Sequence, residues 1–378
     1  MIGLDLNGDL LKNRLDGASF GGRAAGAKKR PYLPDDSLTT AAALAVLLGQ
    51  PLLLSGLPGV GKTGAAYHIA SSLFGEGQEP IRVTVTTQTT GRDLLYKFDL
   101  LTRFHDKDLP LRRLLRFEAL GRAIVTACGG SALVLDAATD QPVTEPSRIA
   151  AIVGDVAREP GPLLLRDLFE PAECPPDRPR PSVVLIDEID KAPRDTPNDL
   201  LESFEAMRFT VDELGLKIGA KDAAGDDTER RRSRPVIVAT TNAENNLPDA
   251  FLRRCVFHEI AMPDEAQLKR IVSEHLRTID KLDDGKANDL ANAAFAVGDQ
   301  VANRIKGSSR PPGTAEYIAL ARAVHVSPIS AAEFLAAMDS NVKTPSVDLI
   351  KALLGVLVKT ADDLGKALGV FPSLSQTR

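Results

Sequence analysis

Five short apolar runs, set far apart along the chain, give the first information. They are residues 51–54 (PLLL), 81–87 (IRVTVTT), 183–186 (VVLI), 236–239 (VIVA) and 257–261 (FHEIA). Most lack the strict apolar–polar alternation of a half-exposed strand, so they predict strands buried on both faces, as in a parallel sheet covered by helices. Helical stretches separate them. Asp35-Asp36-Ser37 caps a predicted helix reaching about Leu48, and Thr63 to Phe74 has an alanine-rich helical composition. Strands alternating with helices predict an α/β fold, a doubly wound parallel sheet. From Asp264 onward the strand signal gives way to helical periodicity. Leu268, Ile271, Val272 and Leu276 form one apolar face, and Ile318, Leu320, Ala323 and Val324 another. Residues 330–338 and 347–358 read as further helices.

The same patterning sets the expected boundaries. Residues 1–30 are rich in Gly and Ala, end in Lys28-Lys29-Arg30, and read as a flexible N-terminal arm. Residues 31–262 form the α/β domain, 263–330 a helical lid and 331–378 a C-terminal helical extension. Between Arg92 and Arg180 the pattern weakens. One helix is expected over Leu111 to Thr126 and another over Arg148 to Val156, with a turn-rich excursion at 133–146 and five prolines between Pro171 and Pro181. This stretch is longer than a helix, a strand and a second helix require, so an insertion is placed at about 112–181. Residues 220–234 are a second polar excursion. There Arg230, Arg231, Arg232 and Arg234 are mixed with acids, which favours a solvated loop over a phosphate grip.

Composition narrows the class. The 378 residues are enough for a large module plus a lid, and 43% are apolar against 26% charged, as in ordinary globular proteins. Aromatics make up 4%, with no Trp, which leaves few rings for stacking on bases. The net charge of −5 disfavours a generic grip on nucleic acid or an anionic membrane. No run approaches the length of a membrane span, and residues 1–30 lack the apolar core of a signal peptide. The three cysteines and five histidines match no metal-ligand spacing, so a zinc site is not expected. The chain reads as cytoplasmic.

Three motifs carry chemistry. Gly56-Leu57-Pro58-Gly59-Val60-Gly61-Lys62-Thr63 fits G-x-x-x-x-G-K-[ST] at every fixed position, after a buried strand and before a helix. Its glycines let backbone N–H groups face phosphate oxygens, and the helix N-terminus favours the anion. Gly56, Pro58, Gly59, Val60, Gly61, Lys62, Thr63 and Gly64 are the candidate nucleotide-binding residues. Lys62 would reach the β- and γ-phosphates, and the Thr63 hydroxyl would ligate Mg²⁺. The bland alternative, a glycine-rich turn ending by chance in Lys-Thr, is disfavoured by the flanking strand and helix.

The second motif is Val183 to Glu188 (VVLIDE). A carboxylate just after a buried strand lies at the carboxyl edge of the sheet, where such folds bind ligands. Asp187 is the candidate metal ligand, and Glu188 the candidate base that polarises the attacking water. Third is Val236 to Asn242 (VIVATTN). Asn242, just past the strand, can touch the γ-phosphate or position water, although Thr-Thr-Asn alone also opens turns. Thr84 to Thr90 holds five threonines after a strand, most of them expected as strand and turn residues.

In this order, these motifs resemble the AAA+ ATPases. The tightest likeness is to their MoxR-type branch, over GLPGVGKT (56–63), VVLIDEIDKAPRDTPNDLLESFE (183–205), VIVATTN (236–242) and LPDAFLRRCVFHEI (247–260). The resemblance covers roughly Leu38 to Val326. It implies a P-loop fold with sheet order 5-1-4-3-2, Mg²⁺-dependent hydrolysis of ATP and a homo-oligomeric ring, typically a hexamer. It also implies a client protein, of a class that often bears a von Willebrand factor A domain. It gives Asn242 the part of sensor 1. It places an arginine finger in Leu252-Arg253-Arg254-Cys255, with Arg254 first and Arg253 second; without it the pair reads as a helix-end or surface ion pair. Arg310, ahead of a helix expected near Thr314, stands where relatives carry a sensor 2 arginine, and an ordinary loop arginine is the equal alternative. Two other readings compete: a nucleic-acid-associated motor, which would need a basic ring face, and an ATP-binding switch with little turnover.

Overall fold

The computed structural model describes residues 32–154, 158–219, 233–307, 311–339 and 346–372. The expected N-terminal arm with Lys28-Lys29-Arg30, most of the 220–234 excursion, and Arg310 lie outside the described residues. The chain divides into two compact units. One comprises Asp35–Ser55 and Ala66–His258; the other comprises Gly56–Ala65 and Glu259–Arg378, together with residues 32–34.

The first unit is built around a sheet. Helix α1 (Asp36–Leu48) starts where Asp35 accepts the Leu38 N–H at 2.6 Å and ends at Gly49 with φ 68°, an N-cap and a left-handed C-cap of the usual chemistry. Strand β1 (Leu52–Ser55) runs into the glycine-rich loop, and helix α2 (Lys62–Phe74) follows. Strand β2 (Ile81–Thr84) is the second sheet member. Then come α3 (Gly91–Leu95), β3 (Tyr96–Phe98), α4 (Leu100–His105), β4 (Leu115–Phe117), α5 (Ala119–Cys128), β5 (Leu135–Asp136) and α6 (Pro146–Val153). Strand β6 (Val183–Asp187) and α7 (Thr196–Ala206) precede β7 (Arg208–Val211) and β8 (Leu216–Gly219). Strand β9 (Val236–Thr240), the short α8 (Asp249–Leu252) and β10 (Val256–Glu259) complete the sheet.

The five-stranded parallel sheet has the order β10-β1-β9-β6-β2. Renumbered by sheet members alone, that is the expected 5-1-4-3-2. The register aligns Leu54 with Thr240, Ile186 with Ala239, and Thr84 with Asp187. Strands β6 and β9 are buried at every position, as continuous apolar runs between two helical layers must be. Strand β2, at the edge, instead alternates half-buried Ile81 and Val83 with exposed Arg82 and Thr84.

The expected single helix over Leu111 to Thr126 is corrected. The chain forms a 3-10 turn at Leu111–Leu114, then β4, and only from Ala119 a helix. The reason is tertiary: Leu115–Phe117 pairs antiparallel with Tyr96–Phe98, with Tyr96 opposite Phe117. Strand pairing there satisfies backbone groups that a helix would have satisfied locally. A three-stranded antiparallel sheet, β5-β8-β7, joins residues 135–136 to a hairpin formed by 208–219.

The second unit is helical apart from the glycine-rich loop. Helices α9 (Glu265–Ile279), α10 (Asp284–Arg304), α11 (Thr314–Val326), α12 (Ala331–Ala336), α13 (Val347–Leu357) and α14 (Ala361–Leu368) share one aliphatic core from Leu268 to Phe371. Asp264, Asp283, Ser330 and Thr360 each accept a first-turn N–H as N-caps. Among the described residues, no helix is long and apolar enough to cross a membrane.

Candidate active site

The candidate residues fall in two groups, one in each unit. In the helical unit, the loop after β1 carries Gly56, Gly59 and Gly61 at φ 145°, 82° and 104°, backbone that a side chain would strain. A Cβ on Gly56 would stand 2.5 Å from the Ile260 carbonyl oxygen. Lys62 is buried, and its ammonium donates to the carbonyls of Gly56 at 2.6 Å and Leu57 at 3.1 Å. Val60 is buried. The start of α11 lies directly on this loop. Ala315 N–H donates to the Gly59 carbonyl at 3.3 Å, and a Cβ on Gly313 would meet the Pro58 carbonyl oxygen at 2.7 Å. Glu316 accepts the Gly313 N–H at 3.0 Å and also borders Gly59. Gly313, Ala315 and Glu316 thus lie in contact with the loop, while Arg310 lies outside the described residues. Tyr32, not anticipated from sequence, sets its ring against Gly61 and Gly64.

In the sheet unit, Ser55, Asp187 and Thr240 end three neighbouring parallel strands at one edge, the carboxyl edge where α/β sheets hold ligands. Asp187 is 5% exposed. Its Oδ1 accepts the Thr240 hydroxyl at 2.6 Å, and its Oδ2 accepts the Arg82 guanidinium at 2.7 Å. Thr240, fully buried, also accepts the Glu188 N–H at 2.9 Å. One hydroxyl therefore ties both acidic residues to the end of β9.

Glu188 takes left-handed backbone, φ 61° and ψ 49°, which turns its side chain away from the strand direction. Its Oε2 accepts Lys191 at 2.8 Å, and its Oε1 accepts the Asn242 amide at 3.4 Å. The Glu188 carboxylate raises the Lys191 ammonium above its ordinary range. Asp190, 2% exposed, accepts the N–H groups of Asn242 (3.2 Å) and Glu244 (3.0 Å) and so fixes the loop that carries Asn242. Asp187, Glu188 and Asn242 are brought together as the motifs implied. Arg82, Thr240, Lys191 and Asp190 are additional members. Arg82 carried one visible signal, a cation inside an otherwise apolar and threonine-rich run.

The arginine pair lies elsewhere in the same unit, after α8. Arg254 donates to Glu205 at 2.5 Å and to the Ala250 carbonyl at 3.2 Å. Arg253 is exposed and makes no side-chain hydrogen bond or ion pair among the described residues. Thr90 caps α3 in a reciprocal box with Asp93, and Thr86 and Thr89 bond each other, so these threonines serve as turn and cap residues. Cys255 is half-buried, and burial pushes its thiol up to about 12, which leaves it protonated and inert.

A comparison with curated proteins finds no match. Among solved structures, a similar one is the crystal structure of NtrX from Brucella abortus in complex with ATP, with TM-score 0.40 and 12% identity. The alignment covers 86% of this chain and 57% of that one. The family of the AAA domain, dynein-related subfamily, matches residues 51–255, from the start of β1 to the arginine pair. With more than half the sequence inside that match, and the strand order and loop just described, the chain belongs to the dynein-related subfamily of AAA domains, P-loop nucleotide-hydrolysing domains.

Proposed function

We propose that this chain is a Mg²⁺-dependent ATPase of the MoxR-type branch, working at the subunit interfaces of a homo-oligomeric, hexameric ring in the cytoplasm to remodel or activate a client protein. The observation that carries the reading is the network at the end of β6. One acid, Asp187, is held rigidly and the next, Glu188, is turned toward Asn242. Two adjacent carboxylates in unlike surroundings suit two roles, metal ligand and base.

The residues fit Mg²⁺. Asp187 and the Thr63 hydroxyl are hard oxygen donors of the kind this ion takes, and a carboxylate oxygen can accept from more than one partner. When bound, the ion neutralises charge on the β- and γ-phosphates. Lys62 and the N–H groups of Gly56 to Gly64 bind those phosphates. Water attacks the γ-phosphorus as the bond to the β-bridging oxygen breaks; Glu188 takes the water's proton, and Asn242 orients the water. Arg254, with Arg253 as the second choice, would reach the neighbouring subunit's ATP, and Arg310 would act as sensor 2. A client bearing a von Willebrand factor A domain is the partner class that the MoxR-type likeness supports.

The test is ATP turnover by wild type, Lys62→Ala and Glu188→Gln. Lys62→Ala should lose nucleotide binding, while Glu188→Gln should keep binding and lose about 10²–10⁴ in rate, the usual worth of a general base. The ATP-loaded Glu188→Gln protein should also retain its client in affinity capture. Unchanged hydrolysis in Glu188→Gln would overturn the catalytic assignment.

A further inference from the structure

A cavity of about 940 Å³ opens within the inserted region of the sheet unit, and none of the candidate nucleotide-site residues lines it. Four arginines line it: Arg112, Arg113, Arg116 and Arg122. Its apolar floor includes Phe117 and Phe169, whose ring centroids lie 5.0 Å apart. Glu170 and Glu173 are its acids, so the lining carries more positive than negative charge in a chain whose net charge is −5. The pairing is uneven. Arg112 and Arg113 share Glu170, at 3.5 and 3.2 Å. Arg116 and Arg122 make no side-chain hydrogen bond or ion pair among the described residues. Arg112 is 7% exposed, and its Nε–H is buried without a partner, an arrangement that costs stability unless something accepts from it.

We propose that this cavity docks an acidic segment of a partner protein, one that places an aromatic or aliphatic side chain on the Phe117–Phe169 floor and carboxylates on the arginines. Two features favour a peptide over a compact phosphate. The cations are spread over three elements, the 111–114 turn, β4 and α5, so they match charges distributed along a chain. The floor offers the half-buried Phe169 ring, and aromatic residues together with arginine are enriched at protein interfaces. The surface continues in the same sense: α4 packs on the 111–114 turn and leaves Leu101 and Phe104 each 75% exposed. Taken as the client's docking site, the cavity rests on the remodelling role proposed above; as a peptide site it stands without it.

The test is fluorescence anisotropy on the full chain without nucleotide, using a short labelled peptide of glutamates around one phenylalanine. Binding should weaken several-fold as salt is raised. It should fall at least about tenfold in Arg116→Glu/Arg122→Glu, and equally when the peptide's glutamates become glutamines. Basal ATP turnover of that variant should be unchanged, because neither arginine belongs to the ATP site. Failure of turnover with peptide binding intact would count against the ATPase reading alone. No peptide binding, equal binding by the double variant, or binding of tripolyphosphate or an oligonucleotide in place of the peptide would each overturn the proposal.

Discussion

Thr240→Val removes one oxygen from the centre of the acidic network and almost nothing else, since valine matches threonine in shape. The hydroxyl donates to Asp187 at 2.6 Å and accepts from the Glu188 N–H at 2.9 Å, at a position with no solvent exposure. Losing the bond to a carboxylate costs about 1.5–3 kcal/mol, and leaving the Glu188 N–H unsatisfied adds about 1 kcal/mol or more. A total of roughly 2–4 kcal/mol corresponds to a fall of about 2–5 °C in Tm for a chain of this size. Turnover should also drop by about tenfold or more, because both acids lose their tether. Thr241→Val is the control. Its hydroxyl, next along the chain and also buried, accepts only the Ala243 N–H at 2.9 Å, so its cost should stay near 1 kcal/mol. Calorimetry, urea melts and steady-state ATPase assays on the two variants decide the matter. If Thr240→Val lies within about 0.5 kcal/mol of wild type, or costs no more than Thr241→Val, the hydroxyl is not the tether described.

Two further predictions concern the arginine pair and pH. Arg254 is engaged by Glu205 within its own unit and Arg253 is not, so Arg253→Ala and Arg254→Ala should separate. The one that serves as the trans finger should lower kcat by about 10³–10⁵, and the other should change it little, in ATPase assays on assembled protein at saturating ATP. Burial lowers the pKa of His68 and of His275, the latter helped by Arg322. Their unfolded forms therefore bind protons at higher pH than the folded ones, so stability falls as pH drops through about 6.5 and levels off below the depressed native values. Melting curves from pH 8 to pH 5 should show this slope, and His68→Gln should flatten part of it.

Much of the architecture was legible because burial on both faces writes a continuous apolar run. The runs at 51–54, 183–186 and 236–239 became β1, β6 and β9, and each motif followed the strand it was expected to follow. The small antiparallel strands were not legible. At two to four residues, β3, β4, β5, β7 and β8 are too short for a period-two pattern to emerge. Leu115–Phe117 sits in a sequence whose spacing fits a helix equally well until its partner at 96–98 is known. In the candidate site, Asp187, Glu188 and Asn242 were visible as motif positions. Thr240 and Asp190 were not, because their roles are contacts between the ends of two strands far apart in sequence. Tyr32 was hidden for the same reason.

The left-handed backbone of Glu188 has a consequence for which residues this position can accept. A residue with a Cβ held at φ 61° costs about 1–2 kcal/mol that glycine would not. Folding alone would therefore prefer glycine at 188, and asparagine would be tolerated better than glutamate. With Glu188 as the base proposed above, stability and turnover would pull this one residue in opposite directions. A screen of variants for thermal resistance should drift toward Glu188→Gly, and a screen for ATP turnover should restore the acid.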